Sequence, residues 1–538
     1  FLTFTLILGF IVVPDILLRT PTPTPPSDGV VEVYNCSVYN PQHLGLVSFY
    51  QYVLDIVSGT GILELSHLFY GHYGAEGESE GFGYRTALGY LLTTVSYTFI
   101  TFVWIVKRAL EGVRSGGDAA LTAYSHTVFG SWDFCVNGAR SVGLQRRTVH
   151  RQIRMCLEEE RRRKMLAGRT RKERAKVYAV RAVVNAFVAL QIGGAFLCVY
   201  IATRVSQQSS EEPRHFVVRL LSAYLPSIVI AAANAVLPVV FGALTALEGY
   251  SSASAVKLSL VRMMFLRLSS PVMLLYSLWS EITCDGRTET DGNCALCGYN
   301  YHKYPCWETR VGQEMYKLFI FDFLILITVL LFIEFPRKIL VGVCSWRVVR
   351  WCGQQEFLIP ENVLDLVYSQ TLCWVGAFFC PLLPILNAVK LVIVFYLKKL
   401  TLFRNCKPPK RMFRESNSKR LFLTALLFGF LVSCVPFVYS LSSVAPSRAC
   451  GPFQDQERIW DLVPDSIRTL RSGPRNVLEF LGSVAFLAPL LVFLCVVLYF
   501  MVTAANRYNT ILNQLQNQLR HEGKAKWLLL EKIGSSKY

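Results

Sequence analysis

The sequence predicts an all-α integral membrane protein with about ten transmembrane helices. Of its 538 residues, 52% are hydrophobic and only 17% are charged, whereas a soluble chain of this length would carry more charge and divide into several cores. The apolar residues collect into blocks of about 20, the length that a helix needs to cross a bilayer. The charged residues lie between these blocks, and this separation predicts a multi-pass membrane protein.

Ten apolar segments are candidate spans. The first is interpreted as a membrane helix rather than a signal peptide, because no basic segment precedes it and no small-residue cleavage site follows. Pro381 and Pro384 interrupt the seventh and eighth segments, so we expect a tight hairpin there. The segments are residues 1–18, 86–106, 182–203, 220–247, 256–279, 316–335, 363–383, 384–403, 421–441 and 477–503.

Loop charge predicts the orientation. Residues 107–176 carry 17 Lys and Arg, and residues 404–420 carry seven against one acid, so both are placed in the cytosol. Residues 19–85 carry two basic residues against seven acids and are placed outside or in a lumen. The net charge of +18 therefore reflects cytosolic loops rather than nucleic-acid binding.

The remaining predicted segments are a basic helical cytosolic loop at 107–181, spans three to five within 182–280, a Cys-rich outer loop at 281–315, spans six to ten with the pore-forming region at 316–503, and a cytosolic C-terminal helix at 504–538.

Six cysteines fall on the predicted outer side. An even number of cysteines in an oxidising compartment predicts disulfide bonds, although sequence alone does not give the pairing. The alternative is zinc binding near His302, which is disfavoured because only one histidine lies close to these cysteines. Asn35 begins an N-C-S glycosylation sequon on the same side. The disulfide candidates are Cys36, Cys284, Cys294, Cys297, Cys306 and Cys450.

Motifs for catalysis are absent from the sequence. It contains no phosphate-binding G-x-x-x-x-G-K-[ST], no H-E-x-x-H and no G-x-S-x-G in a strand-turn-helix context, and its eight histidines show no paired spacing. We therefore predict that the protein is not an enzyme, and that it needs no metal or other cofactor.

Polar residues within the spans are the candidate pore-lining groups. A charge at membrane depth is costly unless water or a partner reaches it. Glu314 and Lys317 are three residues apart and can pair, whereas Asp322 has no obvious local partner. Arg262 and Arg267 project about 140° apart on one helix. The alternative to a pore role is bonding between helices. The pore-lining candidates are Asn234, Arg262, Arg267, Glu314, Asp322, Gln370, Asn387 and Lys390.

Two prolines in the fourth span are the gating candidates. Pro226 and Pro238 each remove a backbone donor and favour a kink, which suits a movable helix. The alternative is a static kink.

Several motifs resemble those of the transmembrane channel-like (TMC) family. The sequence C-W-E-T-R-V-G-Q-E at 306–314 is similar to the family signature, with S-W-D-F at 131–134 and C-G-P-F at 450–453 in the expected order. A W-x-G-x-F-F-x-P-x-x-P stretch at 374–384 lies between them. Details at 335–338 and 353–357 resemble members other than those of hair cells.

This resemblance implies a fold and a conduit. The family architecture is similar to that of the TMEM16 and OSCA proteins, with an ion path between the fourth and seventh helices of each protomer. Hair-cell members are thought to conduct cations in mechanotransduction. The acids of the sixth helix in that pattern correspond to Glu308, Glu314 and Asp322 here.

Three positions depart from the hair-cell pattern. Gly242 and Leu358 stand where those members carry acids, although Glu361 is close to the second position. Arg267 stands where they are apolar. Each charge contributes about 4 kcal/mol of local potential at an effective dielectric near 20. The resemblance therefore does not imply strong cation selectivity.

The predicted function is a channel-like protein, an ion channel with weak or anion-leaning selectivity and a candidate for mechanical gating. One alternative is a non-conducting modulator of another mechanosensitive channel or an ion transporter, and a second is a lipid scramblase. The expected partners are the lipid bilayer and permeant ions, with another channel or transporter under the first alternative. The protein is expected to be a monomer or homodimer in the plasma membrane, Golgi or ER.

Overall fold

The protein is described by a computed structural model in which the regular elements are mainly helices. The described residues are 2–18, 36, 49–73, 84–114, 129, 135–136, 138–168, 170–208, 216–250, 252–284, 297–343, 356–406 and 415–535. The helices are α1 Leu2–Ile7, α2 Val13–Leu18, α3 Phe49–Ser58, α4 Thr86–Arg114, α5 Ala139–Ala167, α6 Arg171–Gln208, α7 Phe216–Leu247, α8 Ser252–Ile282, α9 Trp307–Val329, α10 Phe335–Val343, α11 Ile359–Gly376, α12 Leu383–Arg404, α13 Glu415–Ser442, α14 Leu462–Arg468, α15 Ser472–Gly482 and α16 Val484–Ser535.

Two π-helical turns, Leu8–Val12 and Leu330–Glu334, join α1 to α2 and α9 to α10 without a break. The chain divides into two compact units. The first contains Phe1–Gly117 and Thr127–Leu462, and the second contains the remainder, including α15 and α16. Every site discussed below lies in the first unit.

Seven helices in the described part of the chain are long and apolar enough to cross a membrane, which confirms an all-α, multi-pass membrane protein. The first predicted span is a shorter apolar helix, Leu2–Leu17, and α11 and α12 fall outside these seven. The number of ten crossings therefore stays a prediction. The seven are Thr86–Ala109, Arg171–Gln208, Leu221–Leu247, Ser254–Ile282, Trp307–Val343, Leu421–Ser442 and Val484–Gly523.

The expected hairpin lies between α11 and α12. The first helix ends at Gly376, and Pro384 occupies the first turn of the second, where a missing backbone N–H costs no helical bond. Ala377 and Cys380 donate backbone hydrogen bonds to the last turn of α11. The two helices then pack together. This hairpin places polar residues of α11 beside those of α12.

Several helix ends differ from the predicted bounds; α6 begins at Arg171 rather than at 182, and α11 ends at Gly376 rather than at 383. The sixth predicted span is α9, which begins at Trp307 rather than at 316. The polar residues at its start, predicted as loop, are therefore helical and buried. The predicted last span, 477–503, is interrupted at Ser483, whose extended backbone separates helix α15 from helix α16. The predicted C-terminal helix at 504–538 is continuous with the span through Ser535. Apolarity alone therefore misplaces these ends.

The central helices share one apolar core. Val188 of α6, Phe241 of α7, Leu266 of α8, Leu364 of α11 and Ala425 of α13 are all buried in it. Burial of each large apolar side chain stabilises the packing, with dispersion and close fit as the main contributions inside a membrane. This core holds α7, α8 and α11 together, and Arg267 and Asp365, described next, lie on α8 and α11.

A second packed region lies next to the predicted outer loops. The Tyr70 ring stacks on Phe453 and meets Tyr90 edge-on. Gly451, at φ +84°, has no room for a side chain, since a Cβ there would lie 2.0 Å from the Tyr70 ring. The Tyr90 hydroxyl donates to the backbone carbonyl of Phe378 in the hairpin. These contacts fasten the loop at 61–73 to the hairpin.

Candidate functional site

Five helices bring polar side chains to one region of the bundle. Asn234 comes from α7, Arg267 from α8, Asp322 from α9, Gln370 from α11 and Lys390 from α12. Lys390 pairs with Asp322, and Asn234, Arg267 and Asp322 all lie near Tyr368 of α11. Gln370 bonds to Asn387 on the helix that carries Lys390. The structure therefore brings together six of the eight predicted pore-lining residues, counting Asn387 described below. We call this set, with Asp365 and Tyr368, the polar path.

Lys390 and Asp322 form an ion pair between α12 and α9. The ammonium Nζ donates to Asp322 Oδ2 at 2.6 Å and lies 4.4 Å from the centroid of the Phe319 ring. The lysine side chain is 5% exposed and the aspartate 33%. Asp322, which has no local partner on its own helix, thus finds one from a distant segment. The pair therefore links α9 to the second helix of the hairpin, α12.

Asn387 lies one turn before Lys390 on the same face of α12. Its Oδ1 accepts a hydrogen bond from the Ser369 hydroxyl at 3.1 Å, and its Nδ2 donates to Gln370 Oε1 at 3.0 Å. Gln370, a predicted pore residue, therefore bonds across the hairpin. The neutral part of the polar path adjoins the charged part.

Arg267 and Asp365 form the second ion pair, between α8 and α11. The arginine is 16% exposed and the aspartate 40%. The Arg267 Nε is buried without a hydrogen-bond partner among the described residues. Tyr368, one turn after Asp365, lies close to Arg267, Asp322 and Asn234. Tyr368 therefore connects the two ion pairs.

Arg262 lies elsewhere, in a cluster in which it and its partner acid are buried. Its Nη2 donates to Glu248 Oε1 at 2.5 Å and to Asn185 Oδ1 at 2.6 Å, while Nη1 donates to Thr245 at 3.3 Å. The side chains of Arg262 and Glu248 are 6% and 0% exposed. The structure thus places this predicted pore residue in a bridge between helices α6, α7 and α8.

Glu314 also lies outside the polar path. Its carboxylate accepts from Lys317 Nζ at 2.8 Å and lies 3.6 Å from Arg310, and Glu314 and Lys317 are each 3% exposed. Gln313, beside it, donates to the backbone carbonyl of Gly59 at 3.1 Å. The local pairing expected from the three-residue spacing is present. This group fastens the start of α9 to the loop after α3.

The two gating candidates lie within one continuous helix. Both Pro226 and Pro238 are inside α7, which runs unbroken from Phe216 to Leu247. Pro238 lacks the N–H that would otherwise bond the carbonyl of Asn234, four residues earlier. That carbonyl belongs to a residue of the polar path. A movement of α7 stays a prediction.

The structure shows the surroundings of the three positions that depart from the hair-cell pattern. A Cβ at Gly242 would meet no heavy atom within 4 Å, so the missing acid leaves open space. Leu358 lies just before α11 and is 39% exposed. The positive charge of Arg267 is offset by Asp365. The effect of these three departures on selectivity stays a prediction.

Sequence reasoning missed two acids that complete these ion pairs. Asp365 interrupts the seventh apolar segment, and Glu248 follows the fourth. Each is a single charge in or beside an apolar block, which is the same signal that selected Arg262 and Arg267.

Disulfide bonds join the predicted outer loops. Cys36 is bonded to Cys297 and Cys306 to Cys450, and Cys284 is also disulfide-bonded. Cys294 and the Asn35 sequon lie outside the described residues.

The first residues of α9 are fastened to the same loops. Glu308 accepts hydrogen bonds from the backbone N–H and the hydroxyl of Ser447, at 2.9 and 2.5 Å. Because Cys306 and Cys450, which adjoin Glu308, are bonded to each other, they have no thiolates to offer a metal. The Cys-rich region therefore acts as a covalent and hydrogen-bonded clamp.

Comparison with known proteins identifies the family. Residues 306–416 match the TMC domain. The chain is 43% identical over 500 residues to the voltage-gated chloride channel TMC4 of Homo sapiens, covering 92% of this chain and 69% of that protein. It is 40% identical over 516 residues to its counterpart in Mus musculus, covering 95% and 73%. Transmembrane channel-like protein 8 of Homo sapiens is 34% identical over 536 residues, covering 99% and 72%.

The details at 335–338 and 353–357 favour transmembrane channel-like protein 7 and its near relatives, and that finer assignment stays a prediction. The relatives are named as channels or channel-like proteins, and none of these names points to catalysis. The family expected from the motifs is confirmed by matches along nearly the whole sequence. The chain is a channel-like membrane protein that belongs to the TMC family.

Proposed function

We propose that this protein conducts ions along the polar path with weak, anion-leaning selectivity. The observation that carries the proposal is the pair of ion pairs, Arg267–Asp365 and Lys390–Asp322, contributed by four different helices. Membrane helices accept such groups where water or a counter-charge reaches them. In this proposal the path supplies fixed charges and a polar surface along which ions and water pass.

Charge pairing accounts for weak selectivity. An unpaired charge a few ångströms from an ion contributes about 4 kcal/mol at an effective dielectric of 20, which is enough to exclude ions of its own sign. Here each of two bases is paired with an acid, so their fields largely cancel at a distance. A passing ion meets donors and acceptors with little net potential.

Unused donors account for the anion-leaning part. A lysine ammonium carries three N–H donors, and the contact with Asp322 uses one of them. The buried Nε of Arg267 has no hydrogen-bond partner among the described residues. An anion in the path can therefore hydrogen-bond Lys390 without displacing Asp322, and it can bond the buried Arg267 Nε once that side chain moves. The name of the relative TMC4, a voltage-gated chloride channel, supports the same direction.

Opposite substitutions in one ion pair test this proposal. The full chain is reconstituted in planar bilayers, and the reversal potential is measured under a KCl gradient with voltage and stretch applied in turn. Lys390→Gln should move the reversal potential toward the cation value, and Asp322→Asn should move it toward the anion value. The double variant should return close to wild type, because it removes both charges.

An exposed lysine on the same helix is the matched control. Lys399 is near the end of α12, so Lys399→Gln should leave the reversal potential unchanged. If Lys390→Gln and Asp322→Asn both conduct with the wild-type reversal potential, the polar path is not the conduit.

A non-conducting regulator is the second candidate function. It is favoured by the fact that each base in the polar path is already paired with an acid. In that case the pairs lock the helices and the protein modulates another channel or an ion transporter. Co-expression with the candidate channel distinguishes the two functions. A change in the partner's current that survives the double variant Asp322→Ala with Arg267→Ala favours regulation.

A further inference from the structure

A cluster of one acid and two histidines lies apart from the polar path. Asp15 is on α2, near the end of the first apolar helix, while His67 and His72 are in the predicted outer loop. His72 ends a 3₁₀ turn at Tyr70–His72. Asp15 is far from the two histidines in the sequence. Their side chains nevertheless converge.

We propose that Asp15, His67 and His72 form a binding site for a divalent cation of the zinc class. Their candidate ligand atoms all lie within 4.8 Å of one another. Two neutral imidazole nitrogens and a carboxylate oxygen are ligands that zinc prefers, and three protein ligands leave a fourth position for water.

The distances fit ligands around one ion. Asp15 Oδ2 lies 3.4 Å from His67 Nε2 and 3.3 Å from His72 Nε2. Zinc binds nitrogen and oxygen at about 2.0–2.2 Å, so two ligands at the tetrahedral angle are roughly 3.3 Å apart. Both measured separations have this value. A single ion can therefore contact Asp15 and both histidines with small side-chain adjustment.

The orientation of His72 is fixed by its second nitrogen. Its Nδ1 lies 2.6 Å from the backbone carbonyl of Leu65 and donates to it, which leaves Nε2 with a lone pair directed at the cluster. Histidine ligands in metal sites characteristically donate their other N–H to such an acceptor.

The backbone and ring of His67 are also held in place. The Tyr73 hydroxyl donates to the backbone carbonyl of His67 at 2.8 Å. The rings of His67 and His72 have centroids 4.1 Å apart. Side-chain exposures of 7% for Asp15, 17% for His72 and 36% for His67 leave the site reachable from one side.

The site would join two distant parts of the chain. α1 and the π-helical turn that precedes α2 pack against α4, and α1 also contacts α12, which carries Lys390. A cation would tether the end of this helix to the loop that Tyr70 fastens to the hairpin. Because a bound ion stabilises only the folded state that forms its site, binding should raise thermal stability.

Thermal unfolding with defined metals tests the site independently of conduction. The full chain is purified with any affinity tag removed and treated with chelator. Its unfolding midpoint is then measured in ZnCl₂ or MgCl₂ at equal concentrations. Micromolar zinc should raise the midpoint by several degrees, with one ion bound per chain, and magnesium should have no effect. Co²⁺ in place of zinc should show the visible absorption of a tetrahedral site.

Substitution of the proposed ligands should weaken zinc binding. Asp15→Asn and His67→Gln should each weaken zinc binding at least tenfold and abolish the midpoint shift, with His72→Gln as a third variant. Exposed His302, also on the predicted outer side, provides the control, and His302→Gln should bind zinc as wild type does. Elution as a folded protein is checked first for each variant. Equal zinc stabilisation of wild type, Asp15→Asn and His67→Gln, or an equal effect of magnesium on wild type, would overturn the proposal.

Discussion

Arg262 and Arg267 lie on the same helix, and each pairs with an acid from a neighbouring segment, yet their surroundings differ. Arg262 and its partner Glu248 are 6% and 0% exposed, and Asn185 and Thr245 complete the hydrogen bonds of the guanidinium. Arg267 and Asp365 are 16% and 40% exposed.

The difference shows that the type of residue does not decide its role. A fully enclosed pair can only hold helices together. Under the proposed conduction, a pair with one exposed member also acts on an ion that passes beside it. Burial of the partner acid therefore separates a structural pair from a candidate conduit pair, although both arginines satisfy the same sequence criterion.

The largest expected effect comes from breaking the enclosed pair. Arg262→Gln leaves the Glu248 carboxylate buried without its counter-charge, so the protein should lose about 3–5 kcal/mol of stability. The unfolding midpoint, followed by size-exclusion chromatography after heating in detergent, measures the loss. The double variant Arg262→Gln with Glu248→Gln should recover part of it, because no buried charge remains. A wild-type midpoint for Arg262→Gln would remove the distinction between the pairs.

Breaking the Arg267–Asp365 pair should change ion selectivity more than stability. Arg267→Gln should cost only about 0–1 kcal/mol, because Asp365 is 40% exposed and loss of its partner leaves no enclosed charge. Its reversal potential should nevertheless move toward the cation value, since an acid of the polar path is now uncompensated. Bilayer recordings and the midpoint assay are made on the same protein sample. A large stability loss with unchanged selectivity would assign Arg267 the structural role of Arg262.

The sequence predicts these pairs only in part. Glu314 and Lys317 could be paired in advance, because residues three apart lie on one helical face, and they are 2.8 Å apart. Asp322 could be identified as a costly charge, but its partner Lys390 belongs to another segment, and helix spacing carries no information about which helices meet. The same limit hid Asp365 as the partner of Arg267. Local geometry is encoded at short spacing, whereas partners across the bundle depend on tertiary packing.

The fold shows a similar division. Apolar blocks predicted the membrane helices, and Pro381 with Pro384 predicted the hairpin, because both signals act within a few residues. The early start of α9 at Trp307 was missed, since its first turns carry polar groups that are buried by loops far away in sequence. Asp15, His67 and His72 likewise show no motif spacing. Tertiary packing alone brings them together.

A smaller effect is expected at Gly242. An added side chain has open space there, so Gly242→Asp should fold and shift the reversal potential modestly toward cations, with Gly242→Asn as the neutral control. The shift is small because the new charge adds to two existing pairs. If the position faces lipid instead, the charge costs about 2.5–3.5 kcal/mol on insertion, and a fall in folded yield for Asp but not Asn would show this.

Cysteine accessibility tests the central comparison most directly. Asp365→Cys and Thr245→Cys place a thiol beside Arg267 and beside Arg262, and Thr245 is a near-isosteric choice that keeps Glu248 in place. Positively and negatively charged thiol reagents are applied during bilayer recording, with wild type as the control for native cysteines. The account predicts that the two reagents change the Asp365→Cys current in opposite directions and leave the Thr245→Cys current unchanged. A conducting Asp365→Cys protein that ignores both reagents, or equal responses at the two positions, would contradict it.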